Sequence, residues 1–465
     1  MSGSGNTAEL RDEVIALLRA HNTAALRERL KRSLPVDLAP IIGDLPVELL
    51  AQLFRTTSRE LAAATFPYLE QEAQRRLLKL MTPEQSAALL NGLPPDDRTA
   101  FLDELPLEHA MQLLSLLTPD EREIAQALLA YPEHSVGRMM TLDYVAVRPE
   151  WSVAAALDYI RTHGYDRETL NVVYVVDAQG RLIDDVRVRR FLLCSHEQSV
   201  SDLLDGNFSA LSPYDDRETA LEVFRKYDRV ALPVIGEGKK LMGIVTVDDM
   251  LDVAEEEATE DIQKLGGSAA FDEPYTTSTL GQMVRKRAPW LAILMVGEMF
   301  TATAMGYFED EIAKAVVLAL FIPLVISAGG NAGSQAATLI IRALALGEFT
   351  LREWWRVMGR ELLVGTALGV ILGTIGFVRV VLWDFVAPGI YGDHAHLIGL
   401  TLWIALSGVV LWGSLVGSMF PLLLKRLGFD PATSSAPFVA TLVDVTGLVI
   451  YFSVAYFVLR GTLLL

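Results

Sequence analysis

Cysteine is almost absent. Cys194 is the only one in 465 residues, so no disulfide can form within the chain, which suits a reducing compartment. Excess base is absent too. The 40 Lys and Arg are outnumbered by 58 Asp and Glu, for a formal net charge of -18. Most of that excess lies before the apolar part, and it removes the phosphate-neutralising charge that a nucleic-acid partner requires. Met1 to Leu10 are polar and hold no apolar signal core, so the front of the chain is expected to stay in the cytoplasm. No nucleophile, base and orienting group stand together, which sets an enzyme aside. What is present is two kinds of sequence. Before about Val284 the chain is charged and acidic, and after Trp290 long apolar runs dominate. An acidic soluble part joined to an apolar one points to cations, beside the ordinary role of surface acids in solubility.

A helix needs roughly 20 apolar residues to cross a bilayer. Five stretches qualify: Pro289 to Tyr307, Ala315 to Leu344, Leu362 to Leu382, Leu397 to Leu424 and Pro437 to Leu459. Arg285, Lys286 and Arg287 precede the first, Arg342, Arg352, Arg356 and Arg360 lie between the second and third, and Lys425 and Arg426 lie between the fourth and fifth. The opposite connections hold Glu309, Asp310 and Glu311, then Asp384, Asp393, His394 and His396. Basic residues stay on the cytoplasmic side, so the soluble part is expected inside the cell membrane and the C-terminus outside.

Polar groups inside these stretches carry the functional signal. Asp444 has apolar neighbours on both sides, and an acid at membrane depth is a functional candidate unless it merely snorkels from a helix end. Glu298 is a second such acid, suited equally to a pathway or to a helix contact. The run Ser327-Ala328-Gly329-Gly330-Asn331-Ala332-Gly333-Ser334-Gln335, preceded by Pro323, interrupts the second stretch. Its glycines serve either close helix packing or a locally opened backbone. Asn331 and Gln335 are spaced to share a helix face. Asp430, before Pro431, either caps the fifth stretch or meets cations at its mouth.

The soluble part changes pattern along its length. From Leu38 to about Tyr131, helix-start signatures of proline with acids recur at Pro46, Pro83, Pro94-Pro95, Pro106 and Pro119. Leucines between them follow helical spacing, the mark of an all-α helical-repeat array. From Ser135 to Asp252 strands alternate with helices, twice over. The first copy reads Val145-Ala146-Val147, a helix from Val153 to Arg161, then Val172 to Asp177 and a turn at Gln179-Gly180. The second reads Phe208 to Leu211, a helix from Glu218 to Tyr227, Ala231 to Ile235, and Leu241 to Asp249. This α/β pair resembles tandem CBS domains, which implies nucleotide binding or a regulatory dimer module. The nucleotide-associated Gly-x-x-Thr-x-x-Asp pattern is met in the second copy by Gly243, Thr246 and Asp249. In the first copy it departs at Asp184, Asp185 and Arg190, so ATP stays an open alternative. Asp248 to Leu265 then reads as an unbroken acidic helix, with Asp249, Asp252, Glu256 and Glu260 near one stripe. Such a stripe is either a solvated face or a surface for a hard, oxygen-seeking cation such as Mg2+.

The resulting multidomain order is an N-terminal segment 1–37, helical repeats 38–134, CBS copies 135–198 and 199–252, an acidic connecting helix and linker 253–287, and a polytopic α-helical domain of five spans, 288–465. It resembles the MgtE family of Mg2+ transporters and channels. The most specific stretches are Gly329 to Gln335 with Ala337 to Leu344, Pro437 to Phe452, and Glu257 to Ile262. The resemblance implies a homodimer in the bilayer with a pore on its two-fold axis. Asp444 would select the ion there, and Asn331 and the Ala440 carbonyl would line the same site. It further implies regulatory Mg2+ sites at Asp216, Glu218, Asp228, Asp249, Asp252, Glu257 and Asp261, with Asp430 in the membrane domain and Asp96 in the helical domain. Ala100 stands where a companion acid would be. Mg2+ is then both cargo and regulator. Low cytoplasmic Mg2+ leaves the carboxylates repelling one another and the connecting helix away from the pore, and high Mg2+ bridges them. The rival is a membrane sensor or adaptor without transport, and Mn2+ or Co2+ is the alternative cargo.

Overall fold

A computed structural model of the chain describes residues 3–165, 167–271, 275, 278–388, 390–391 and 394–463. Asp393, counted above among the outer-loop groups, lies outside them. The chain divides into two compact units, Met1–Glu255 and Glu256–Leu465.

The first unit opens with short helices: α1 Gly3–Arg19, α2 Thr23–Lys31, α3 Pro35–Asp44, α4 Val47–Thr56, α5 Arg59–Thr65, α6 Gln71–Leu80, α7 Pro83–Leu90, α8 Pro95–Asp103, α9 Leu107–Leu116 and α10 Pro119–Leu129. The expected starts are capped. Thr82 and Gln85 form a reciprocal capping box on α7, and Ser58 and Thr118 accept the free amides of α5 and α10. The leucines between the caps build one continuous apolar core. α1 and α2, in the stretch set apart as 1–37, bury Leu10, Val14, Leu18, Leu26 and Leu30 in that same core. Arg98 is fully buried, donates to the Leu90 and Leu93 carbonyls and pairs with Glu121, so α8 is tied to α7 and α10 by one side chain.

After the short helix α11 (Val136–Met139) come the two α/β copies. In the first, β1 (Ala146–Val147) pairs parallel with β2 (Val172–Val176) across α12 (Val153–His163). β2 then pairs antiparallel with β3 (Leu182–Arg187), which leads into α13 (Val188–Leu193). In the second, α14 (Arg217–Tyr227) precedes β4 (Ala231–Ile235), which pairs antiparallel with β5 (Leu241–Thr246). Only Leu211 of the expected strand Phe208–Leu211 bridges, in parallel, to Val234. Both hairpins shift register at the matching place, Val175/Val176 and Val234/Ile235, so the repeat read from the residues extends to its irregularity. α15 (Val247–Leu265) follows β5 directly as the acidic helix.

The second unit is built on α16 (Leu280–Tyr307), α18 (Ile322–Ala345), α19 (Trp354–Val386), α20 (Ala395–Arg426) and α21 (Ala436–Leu459), with the short α17 (Glu309–Lys314) after α16. Five of these helices, with their leading turns, are long and apolar enough to cross a membrane, and the chain is a membrane protein. The expected interruption at Gly329 to Gln335 is not found: α18 runs unbroken through it, with Pro323 in its first turn. The glycines serve close packing instead. A Cβ on Gly413 would overlap the Gly329 carbonyl oxygen, and one on Gly417 would overlap that of Gly333. α18 and α20 therefore meet backbone to backbone. Gly417→Leu should separate them at a cost of about 3 kcal/mol. A wild-type melting midpoint for this variant in detergent would contradict the packing.

Candidate functional site

The intramembrane acid sits where three helices meet. Asp444, half-buried on α21, faces the glycines of α18, and a Cβ on Gly330 would lie 3.3 Å from its Oδ1 and 3.4 Å from the Ala440 Cβ. α16 closes on the same stretch, since a Cβ on Gly297 would come within 2.9 Å of Thr441. That brings Glu298 within electrostatic reach of Asp444, so both intramembrane acids belong to one place. Ser327, Asn331, Gln335 and Thr338 form a stripe down the exposed face of α18. Asn331, exposed on this stripe, donates to the Ser327 hydroxyl at 3.3 Å. Polar groups at membrane depth need water, an ion or another polar surface against them. One chain thus presents a polar stripe beside an acid.

A second group of acids converges in the soluble unit. Asp96 and Asp97 begin α8, Glu168 follows α12, and Asp248, Asp249 and Asp252 lie on the first turns of α15. Asp96 is only 9% exposed, and its Oδ1 has no hydrogen-bond partner among the described residues. Burial, then the charge of Asp249, pushes the Asp96 carboxyl well above the usual carboxylate range. Burial with the charges of Asp249 and Asp248 raises Asp97 to about 6 and Glu168 to about 7. Asp249 rises to about 6, again through burial, although Thr246 donates to it at 2.8 Å. The sequence reading named Asp96, Asp249 and Asp252. It missed Asp97, Asp248 and Glu168, which chain separation hides. The doubled acids at Asp96-Asp97 and Asp248-Asp249 were the available signal.

A third group lies in the second unit, where Asp430 does two things. Its Oδ1 caps the turn at Ala432, at 2.8 Å, and its Oδ2 holds the Lys264 ammonium at 2.6 Å. Lys264 also reaches Glu260 at 2.6 Å, so α15 supplies its own cation to this cluster. Burial opposes the Lys264 charge, but Asp430 and Glu260 outweigh it and raise the group. Asp261 is raised by burial and by Asp430, with Glu257 adding to the repulsion. By contrast, Asp216 and Glu218 begin α14 and Asp228 ends it, about 16 Å along the helix. One chain does not gather those three. Asp216 accepts from the Glu218 amide at 2.8 Å, and Asp228 takes the left-handed conformation that stops the helix. Among the described residues, no three His, Cys, Asp or Glu close into a direct metal shell.

Known proteins share this layout along the chain. The profile of the divalent cation transporter family MgtE matches residues 322–454, that of the MgtE intracellular N domain matches 34–134, and that of the CBS domain matches 136–196 and 200–256. The magnesium transporter MgtE of Thermus thermophilus is 37% identical over 447 residues, 96% of this chain and 97% of its own. The crystal structure of the soluble part of a magnesium transporter matches 54% of this chain and 99% of its own at 25% identity, with a TM-score of 0.52. The cytosolic domain of the Mg2+ channel MgtE, solved in complex with ATP, matches 52% of this chain and 99% of its own at 32% identity, with a TM-score of 0.50.

Proposed function

The chain belongs to the MgtE family, and we propose that it carries Mg2+ into the cell across the cell membrane and limits that flow by sensing cytoplasmic Mg2+. The observation that carries the reading is the polar stripe of α18 beside Asp444, on an otherwise apolar surface. Two such surfaces facing each other in a homodimer make a complete lining, with one Asp444 from each copy. Glu298 lies within electrostatic reach of Asp444. Mg2+ gives up its water reluctantly, so a pair of carboxylates and the Asn331 and Ala440 oxygens would hold it through its hydration shell. Mn2+ and Co2+ are the competing cargo. Basic connections at the ends of the spans support a cytoplasmic soluble part and an external C-terminus.

The regulatory sites in this reading are the places where acids gather. Asp96, Asp249 and Asp252, joined by Asp97, Asp248 and Glu168, form one. Asp430 with Asp261 and Glu257 forms another, where Lys264 competes with the ion. Asp216, Glu218 and Asp228 act only against a second copy. The partition into segment 1–37, repeats 38–134, CBS copies 135–198 and 199–252, connecting helix 253–287 and spans 288–465 assigns sensing to the soluble part and conduction to the rest. Cations shift such an equilibrium by binding one arrangement better than the other, and several weak sites add.

Purified protein in proteoliposomes tests this directly. Mg2+ entry should fall as Mg2+ rises on the side that bears the soluble part. Entry indifferent to that Mg2+ would remove the sensing half of the proposal. No entry under any condition would favour a membrane sensor or adaptor without transport.

A further inference from the structure

The strand registers align the two CBS copies residue by residue. Val172 pairs with Arg187 where Ala231 pairs with Thr246, so Asp184 stands in the place of Gly243, Asp185 in that of Ile244, and Arg190 in that of Asp249. None of these replacements is idle. Asp184 is 1% exposed and accepts three backbone amides, from Asp185 at 2.9 Å, Asp205 at 2.8 Å and Gly206 at 3.0 Å. Arg190 pairs with Asp205 at 2.9 Å. Buried Asp185 pairs with Arg229 of the second copy at 3.2 Å, and the same guanidinium donates to the Asn207 carbonyl at 3.2 Å. Three acids and two arginines therefore tie β3, α13, the connection at 205–207 and the approach to β4 into one network. The second Asp185 oxygen and the Tyr174 hydroxyl beside it are buried without hydrogen-bond partners among the described residues.

The second copy keeps the nucleotide-associated pattern, yet its parts are also engaged. A Cβ on Gly243 would lie 2.7 Å from the Thr141 carbonyl oxygen, and Asp249 is drawn into the acidic cluster of α8 and α15. A polyphosphate placed at either copy would meet buried carboxylates, and like charges in a poorly solvated place repel strongly. Arg229 and Arg190, the cations of this network, are already paired with Asp185 and Asp205.

We infer that the Asp185–Arg229 pair and the Asp184-held connection are an internal ionic tie that stands in for a nucleotide, so that this CBS pair is joined by its own side chains and takes no ATP. The relative solved with ATP and this chain then share a fold but differ in what holds the pair together.

Titration calorimetry of the full-length protein in detergent with ATP, with and without Mg2+, tests the first half. No saturable binding is expected at the millimolar level. Saturable binding of ATP tighter than about 1 mM would overturn the inference without any variant having to fold. A double-mutant cycle tests the second half. Asp185→Val alone or Arg229→Leu alone strands a charge and should lower the first melting transition by about 5 °C. The double variant should lose less than either single one, because both stranded charges are gone. Strictly additive losses would overturn the tie.

Discussion

Asp444→Ala should abolish Mg2+ entry into proteoliposomes, a loss of about 100-fold or more. One carboxylate about 5 Å from a divalent ion contributes roughly 7 kcal/mol at an effective dielectric of about 20, and a fraction of that suffices for the loss. Asp444→Asn keeps the shape and removes the charge, so it should fail nearly as badly. Asp444→Glu keeps the charge and crowds Gly330, where even an added Cβ would lie only 3.3 Å from the Asp444 Oδ1, and should retain partial entry with altered preference among Mg2+, Mn2+ and Co2+. Asp444 is only half-buried and stands beside a glycine rather than in a packed core, so folding should survive all three. Undiminished entry by a folded Asp444→Ala protein would sink the pore assignment.

The acidic cluster of the soluble unit should respond to pH and Mg2+ as one device. Its carboxyls are raised when α8 and α15 are together: Asp97 and Asp249 to about 6 and Glu168 to about 7. Groups raised in the docked arrangement bind more protons there. Docking is therefore favoured fully below the ordinary carboxylate range, near about 4, and weakens as pH rises to about 7. Above that window a divalent cation must replace the protons. Amide exchange along α8 in the full-length protein should slow about 10-fold on adding Mg2+ near pH 8 and hardly change near pH 5, a coupling of about 1.4 kcal/mol. Asp96→Asn with Asp249→Asn removes part of the repulsion and part of the ion's ligand set together. That protein should be better protected without Mg2+ and respond less to both pH and Mg2+, since Asp97, Asp248, Asp252 and Glu168 remain. An unchanged Mg2+ response in the variant would show that the cluster does no sensing.

How much of this was legible in the residues differs from place to place. The helix starts at Pro83, Pro95 and Pro119 were readable because capping is local chemistry over four residues. The tandem repeat was readable because an apolar run, a turn and a second strand recur together at β2–β3 and β4–β5. The strand at Phe208 was overread, since an apolar run carries no information about whether a neighbouring edge accepts it. The glycine run of the second span left two readings open, and the structure takes the packing one. Glycine permits both an opened backbone and a tight crossing, and the choice rested with Gly413 and Gly417, about 80 residues away.

The sequence by itself determined the division into an acidic soluble part and five apolar spans, the duplicated α/β module, the family, and the position of an acid within the last span. Each of these rests on composition, period or an unbroken motif, and needs no knowledge of neighbours in space. Only the tertiary structure decided which acids act together. It joined Glu168 to Asp97 and Asp249, gave Asp430 a lysine, drew Glu298 to Asp444, and turned an apparent loss of a nucleotide motif into an ion pair with Arg229. Charge interactions act through distance and burial, and neither quantity is written along the chain.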